Sequence, residues 1–297
     1  MVRSVTHLIF TKHAKLIENC YPRQTTQKGP KPSETSYLIF YASSRPVKLL
    51  KVARYLEKRV AHDANRRKLT DVEVSLAIWN ELLRGCTRDV NLFAKGVLNS
   101  ITMVLKTEVY DSMVAAVQTF CLFCSTYDGS SLGIDNELSS LLEVLLAKYS
   151  EWCQCLDTSP DVNRRMRILG LRALSSFVSS PSGKTSYTKK HLGIILPSFL
   201  CNIDIAELDV NLLNPANDAK ISDSKPQDCH SIDSEETADE DINELALSCL
   251  KTLLNNANAA NVGLTSRYLF RYLDENDFWN RQECAVEIVH YILNNME

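Results

Sequence analysis

Glycine and proline are scarce in this 297-residue chain: nine of each, about 3% apiece against typical shares of about 7% and 5%. Few chain breakers favour long helices, and no stretch shows the period-two alternation with turn signals that a strand needs. Long apolar runs are missing too. Stretches such as "LGIILPSFL" at 192–200 fall far short of the roughly 20 residues that cross a bilayer, so no span is expected. The opening, "MVRSVTHLIFTKHAKL", has only a three-residue apolar run before Lys12 and no small-residue cleavage site, so no secretory signal is read. No Walker loop, G-x-G-x-x-G, H-E-x-x-H or G-x-S-x-G occurs. Catalysis is not expected, no cofactor is implied, and a hydrolase built on a Cys/His pair has no flanking signature behind it.

Cysteine is not scarce, at ten residues. Without a secretory signal these read as reduced thiols of a cytosolic protein, mostly at apolar helix positions where free Cys acts as a small hydrophobe. Cys121 and Cys124 form a C-x-x-C, and Cys153 and Cys155 a C-x-C. Both pairs lie in helical, apolar stretches with no knuckle turn, so no metal site is expected.

Helix signals follow one another with short gaps. They predict helices at 10–21, 33–43, from Pro46 onward, from Thr70 to Gly85, and at about 89–106, 109–125, 136–156, 161–180 and 188–202. Ser33 reads as an N-cap, and Thr70 with Glu73 as a capping box. In "LLEVLLAKYSEW", Leu141, Leu142, Leu145, Leu146, Tyr149 and Trp152 form one stripe. Residues 204–240 are polar, acidic and Ser-rich, and read as a flexible loop; helices then resume at about 241–257, 261–274 and 277–294. The organisation expected is therefore N-terminal helical repeats over 1–203, with a basic membrane-facing region at 1–68, the acidic loop, and further repeats over 241–297. Ten to thirteen helices in antiparallel succession predict an all-α fold, an α-solenoid of the ARM/HEAT kind forming a rod of antiparallel helix pairs.

Acidic residues are scarce at one end. Residues 1–68 carry fifteen Lys and Arg against four acids, a net of +11, while the whole chain is at -3, leaving -14 for the remainder. That asymmetry points to a polyanionic partner. Much of the charge lies in "KLLKVARYLEKRVAHDANRRK" at 48–68. At about 100° per residue, Leu49, Ala53, Leu56 and Val60 share one side of a helix, while Lys51, Arg54 and Lys58 lie opposite. Exposed helix faces normally mix signs and gain from i,i+4 pairs, and this one has almost none. The expected lipid-binding set is Lys12, Lys15, Lys28, Lys31, Arg45, Lys48, Lys51, Arg54, Lys58, Arg59, Arg66, Arg67 and Lys68. Anionic phospholipids such as phosphatidylserine and phosphoinositides fit a broad cationic plane that needs no base readout. A nucleic-acid-binding or nuclear-transport repeat protein is the alternative. It is disfavoured because Tyr37, Phe40 and Tyr41 fall in an apolar pattern expected to pack internally, not to offer a stacking platform.

"KHAKLIENCYP", "KPSETSYLIFYASSRPVKLLKVARYLEKR", "RRMRILGLRALSSFV" and "HLGIILPSFLCNI" resemble the Eighty-five-requiring family, also called the rolling blackout family, most specifically over residues 12–68 and 162–203 and closest to its fungal branch. The resemblance implies a rod of ARM/HEAT-like repeats with its N-terminal part on the plasma membrane's cytoplasmic face. It implies a non-catalytic scaffold that recruits the type III phosphatidylinositol 4-kinase alpha together with a tetratricopeptide-type adaptor. Family members are much longer, with the adaptor-binding segment toward their C-terminus, so this chain resembles an N-terminal portion. Animal members are palmitoylated on an N-terminal cysteine cluster. Here Cys20 alone stands near the start as a candidate for acylation, and charge is the stronger attachment.

Overall fold

The computed structural model describes residues 12–22, 29–156, 159–184, 188–203, 241–256, 259–280 and 282–294. Among them are twelve α-helices and no strand. The chain divides into two compact units, Met1–Thr126 and Tyr127–Glu297. The acidic stretch predicted as a loop at 204–240 lies outside the described residues.

The first unit holds α1 (Lys12–Cys20), α2 (Pro32–Ser43), α3 (Pro46–Asn65), α4 (Leu69–Gly85), α5 (Val90–Leu105) and α6 (Tyr110–Thr126). Each packs on its sequence neighbour and on the helix two places along, α3 on α5 and α4 on α6. Packing on both partner and next-but-one is what stacked helix pairs require, because one pair alone cannot bury its apolar face. Leu49, Leu56 and Val60 of α3 are fully buried, with Ala53 beside them, as the helical wheel requires. Each such leucine contributes about 1.5–3 kcal/mol on burial. Trp79 stacks on Phe93 at 6.0 Å and donates its indole N–H to Ser100 Oγ at 3.0 Å, which satisfies a buried donor.

Two helix starts differ from the sequence reading. Pro32, whose fixed φ suits the first helical position, begins α2, so Lys31 stands at the N-cap and Ser33 is already inside. Thr70 and Glu73 make no capping box, because α4 begins at Leu69 directly after a very tight turn. That turn is a Schellman closure: the Lys68 N–H reaches Asp63 O at 2.9 Å and the Arg67 N–H reaches Ala64 O at 3.0 Å. Arg67 takes the left-handed position, φ 53°, that usually belongs to glycine.

The second unit holds α7 (Asn136–Cys153), α8 (Pro160–Ser179), α9 (Thr188–Leu200), α10 (Ile242–Asn255), α11 (Ala259–Glu275) and α12 (Gln282–Asn294). The same rule recurs, with α7 on α8 and α9, α8 on α10, and α9 on α11. Asp135 caps α7 by accepting from the Glu137 and Leu138 N–H groups, each at 3.2 Å. The predicted stripe of α7 is buried at Leu142, Leu145, Leu146, Tyr149 and Trp152, with Leu141 at its edge. The helix expected over 277–294 is interrupted: a 3-10 turn at Phe278–Asn280 precedes α12.

Candidate functional site

α3 carries the basic stretch, and its environment sorts the cations. Lys51, Arg54 and Lys58 are exposed, and none has a carboxylate partner among the described residues. Glu57, the acid nearest them in sequence, turns toward α5 and accepts from Asn99 Nδ2 at 2.9 Å. Separation of signs by helix face is thus built into α3.

At the N-terminal end of α3 three helices meet around one ring. The Lys12 ammonium of α1 lies 5.5 Å from the Tyr41 centroid on α2, and the Lys48 ammonium of α3 lies 4.7 Å from it. Lys48 also donates to Ser44 Oγ at 2.8 Å. Two cations share one π face system here, each contact worth about 0.5–1 kcal/mol at an exposed site. Lys15 is exposed on α1, and Lys51 stands close enough to His13 to depress the imidazole pKa, after burial as the larger cause. Lys12, Lys15, Lys48 and Lys51 are therefore gathered from α1 and α3 onto one locale, which sequence spacing alone did not join.

Arg59 is placed differently from the rest of the expected set. Its guanidinium donates to Glu18 at 2.7 and 2.8 Å and to the fully buried Asp63, lies 3.6 Å from Asp71, and stacks 4.7 Å over Tyr21. Burial works against this charge, but the hydrogen bond to Asp63 and the potentials of Glu18 and Asp63 raise its pKa above the usual value. Arg59 clamps α1, α3 and α4 together, so its charge is already spent inside the protein.

Cys20 is also inward. It is fully buried, its thiol donates to Leu16 O at 3.3 Å, and burial pushes its pKa up to about 11. A thiol so placed is neither accessible nor nucleophilic, which removes the ground for acylation in the folded chain. Lys28 lies outside the described residues. Lys31 and Arg45 sit at the N-caps of α2 and α3, and Arg66, Arg67 and Lys68 are exposed at the far end of α3. A 20-residue helix puts that end about 30 Å from Arg45. Lys68 is 4.0 Å from Asp71.

The aromatic residues of α2 overturn an expectation. Tyr37 is 50% exposed and Phe40 73% exposed, while Leu38 and Ala42 on the opposite face are fully buried. The sequence misled because α2 is apolar on almost every face, leaving no periodic signal of which side turns inward.

Cys121 and Cys124 are buried in α6, and Cys153 is buried at the end of α7 with Cys155 half-buried beyond it. Cys201 is exposed, an exception to the core reading of the cysteines. Among the described residues no group of three or more His, Cys, Asp and Glu could hold a metal ion, and no helix is long and apolar enough to cross a membrane.

Residues 36–297 match the sequence model described as EFR3, armadillo repeat. The chain is 30% identical to "Protein EFR3" of Chaetomium globosum over 89% of its own length and 25% of that protein. It is 35% identical to "Protein EFR3" of Coccidioides immitis over 68% of its length and 16% of that protein. The chain thus spans about a quarter or less of these relatives. A solved structure, "Crystal structure of Efr3", superposes with a TM-score of 0.62 at 23% identity, over 97% of this chain and 49% of that one, and shares its fold. The fold is therefore an armadillo-type α-solenoid, and the chain belongs to the EFR3 family.

Proposed function

We propose that this chain is the docking part of a non-catalytic scaffold that lies on the anionic cytoplasmic leaflet of the plasma membrane and helps to recruit a phosphatidylinositol 4-kinase complex. The observation that carries the docking reading is the exposed face of α3, where Lys51, Arg54 and Lys58 have no carboxylate partner among the described residues. Lys12, Lys15 and Lys48 extend it. Arg59 and Cys20 are left out, the first because it is internally paired and the second because it is buried. Family membership supports the scaffold role, with kinase and tetratricopeptide-type adaptor engaged through segments beyond this chain.

Each Lys or Arg near an anionic leaflet contributes about 1 kcal/mol, so six cations give about 6 kcal/mol before ordering losses. That corresponds to a Kd of tens of micromolar, which is reversible docking. The test is co-sedimentation with vesicles containing phosphatidylserine or phosphoinositides, against phosphatidylcholine alone. Reversing Lys51, Arg54 and Lys58 to Glu should abolish binding while leaving the circular dichroism and thermal midpoint unchanged, because these side chains face away from Leu49, Leu56 and Val60. A folded triple variant that binds as the parent does would defeat the reading.

A second reading, single-stranded nucleic acid on the same surface, is favoured by one observation: Tyr37 and Phe40 are exposed near the cations. Oligonucleotide binding measured beside vesicle binding separates the two.

A further inference from the structure

α2 turns a non-polar surface to solvent in the middle of the cationic locale. Tyr37 and Phe40, one helical turn apart, are 50% and 73% exposed. Val47, on the first turn of α3 and next to Lys48, is 62% exposed. The patch is not separated from the charges: Tyr41, on the same side of α2, is held by Lys12 of α1 and by Lys48. Two large exposed rings one turn apart on a helix whose Tyr41 is held by cations mark a surface that meets something. Val47 adds an exposed apolar side chain beside Lys48 in sequence. The opposite face of α2 cannot turn outward in exchange, because Leu38 and Ala42 are fully buried and Ile39 reaches α4, where a Cβ on Gly85 would lie 2.5 Å from Ile39 Cγ2. The exposure is therefore fixed by packing.

We propose that Tyr37, Phe40 and Val47 form an apolar foot that enters the headgroup and upper acyl region of an anionic bilayer while Lys12, Lys48 and Lys51 hold its phosphates. This deepens the docking reading and rests on it. Charge complementarity selects the occupant: ammonium groups beside apolar rings match a surface whose phosphates overlie hydrocarbon. A stacked base is the poorer fit, because Tyr41 is already engaged by two ammonium groups and Val47 offers no ring. Partial burial of a Phe-sized side chain gives about a tenfold gain in partitioning, so the foot brings the six-cation affinity toward micromolar strength.

The test uses the full 297-residue chain at 0.1 M salt. Tyr37→Ser/Phe40→Ser should weaken binding to phosphatidylserine vesicles about tenfold or more, with the slope of binding against salt unchanged, because no cation is lost. Phe40→Trp, which keeps the bulk, should show a blue shift on vesicle binding, and quenching by brominated phosphatidylcholine in excess of that of the parent's three tryptophans. A parent chain that fails to bind anionic vesicles overturns the docking reading and the foot with it. A parent that binds, with the serine variant binding equally and Phe40→Trp unquenched, overturns the foot alone. Emission already blue-shifted before vesicles are added means that another segment or a second copy covers this face, and overturns it. So does oligonucleotide binding that the serine variant loses while vesicle binding is kept.

Discussion

Arg59 and Arg54 are the same residue type five positions apart on one helix, yet they do different work. Arg54 faces solvent, whereas Arg59 lies over Tyr21 and holds Glu18 and the fully buried Asp63. Arg59→Ala removes the guanidinium from Asp63 and leaves that buried carboxylate only the half-exposed His62 ring, whose Nδ1 lies 3.0 Å from Oδ1. It should cost about 3 kcal/mol in urea unfolding, the usual penalty for breaking a buried pair from one side. Arg54→Ala should be near neutral for stability and weaken vesicle binding instead. Arg67 occupies the left-handed position that closes α3. Arg67→Gly should therefore stabilise by about 1 kcal/mol, read as a higher thermal midpoint. His13, disfavoured as a cation first by burial and then by Lys51, has a folded pKa below its unfolded value of 6.5. The unfolded state then binds more protons, so stability is full above about pH 6.5 and declines as pH falls toward the folded pKa. Comparing pH profiles of the midpoint for the parent and His13→Gln should show this acid-side loss reduced in the variant. Arg54 was legible as a surface cation from the wheel; Arg59 was not, since beyond Asp63 on its own helix its partners Glu18 and Asp71 come from α1 and α4.

At the scale of elements, α3 was readable because its apolar and cationic residues separate at helical spacing. Leu49, Ala53, Leu56 and Val60 are buried where that spacing puts them. α2 was readable as a helix but not in orientation, because "SYLIFYA" is apolar all round and only contacts with α1, α3 and α4 decide which side is covered. Starts were harder than existence: proline at the first position set α2, and the tight turn at Arg67 set α4. In the second unit α7 and α8 approach so closely that a Cβ on Gly170 would stand 2.6 Å from Tyr149 O and 2.8 Å from Cys153 Sγ. Two backbones meeting at that distance have no flexible atom to yield. Gly170→Ala should cost about 3 kcal/mol, at the upper end of overpacking penalties, and appear as a lower urea midpoint with unchanged helix content.

For the molecule as a whole, net charge is a poor guide to what it attracts. The chain is at -3, yet the first 68 residues carry +11. Binding to anionic vesicles should occur despite the overall sign, and should collapse as the Debye length shrinks from about 10 Å at 0.1 M salt to about 3 Å at 1 M. Co-sedimentation across that range checks it; salt-independent binding would mean that charge is not the main attraction. The sequence by itself determined the helical class, the order of the helices, the basic end and the buried side of α3. These follow from local spacing and from composition, which a chain carries before it folds. Tertiary structure decided which cations are free, which aromatic residues face outward and which cysteines are sealed. Those outcomes depend on partners distant in sequence: Glu18 for Arg59, Lys12 for Tyr41, α4 for Ile39. A linear pattern records the periodicity of one helix, but not which neighbour will cover it.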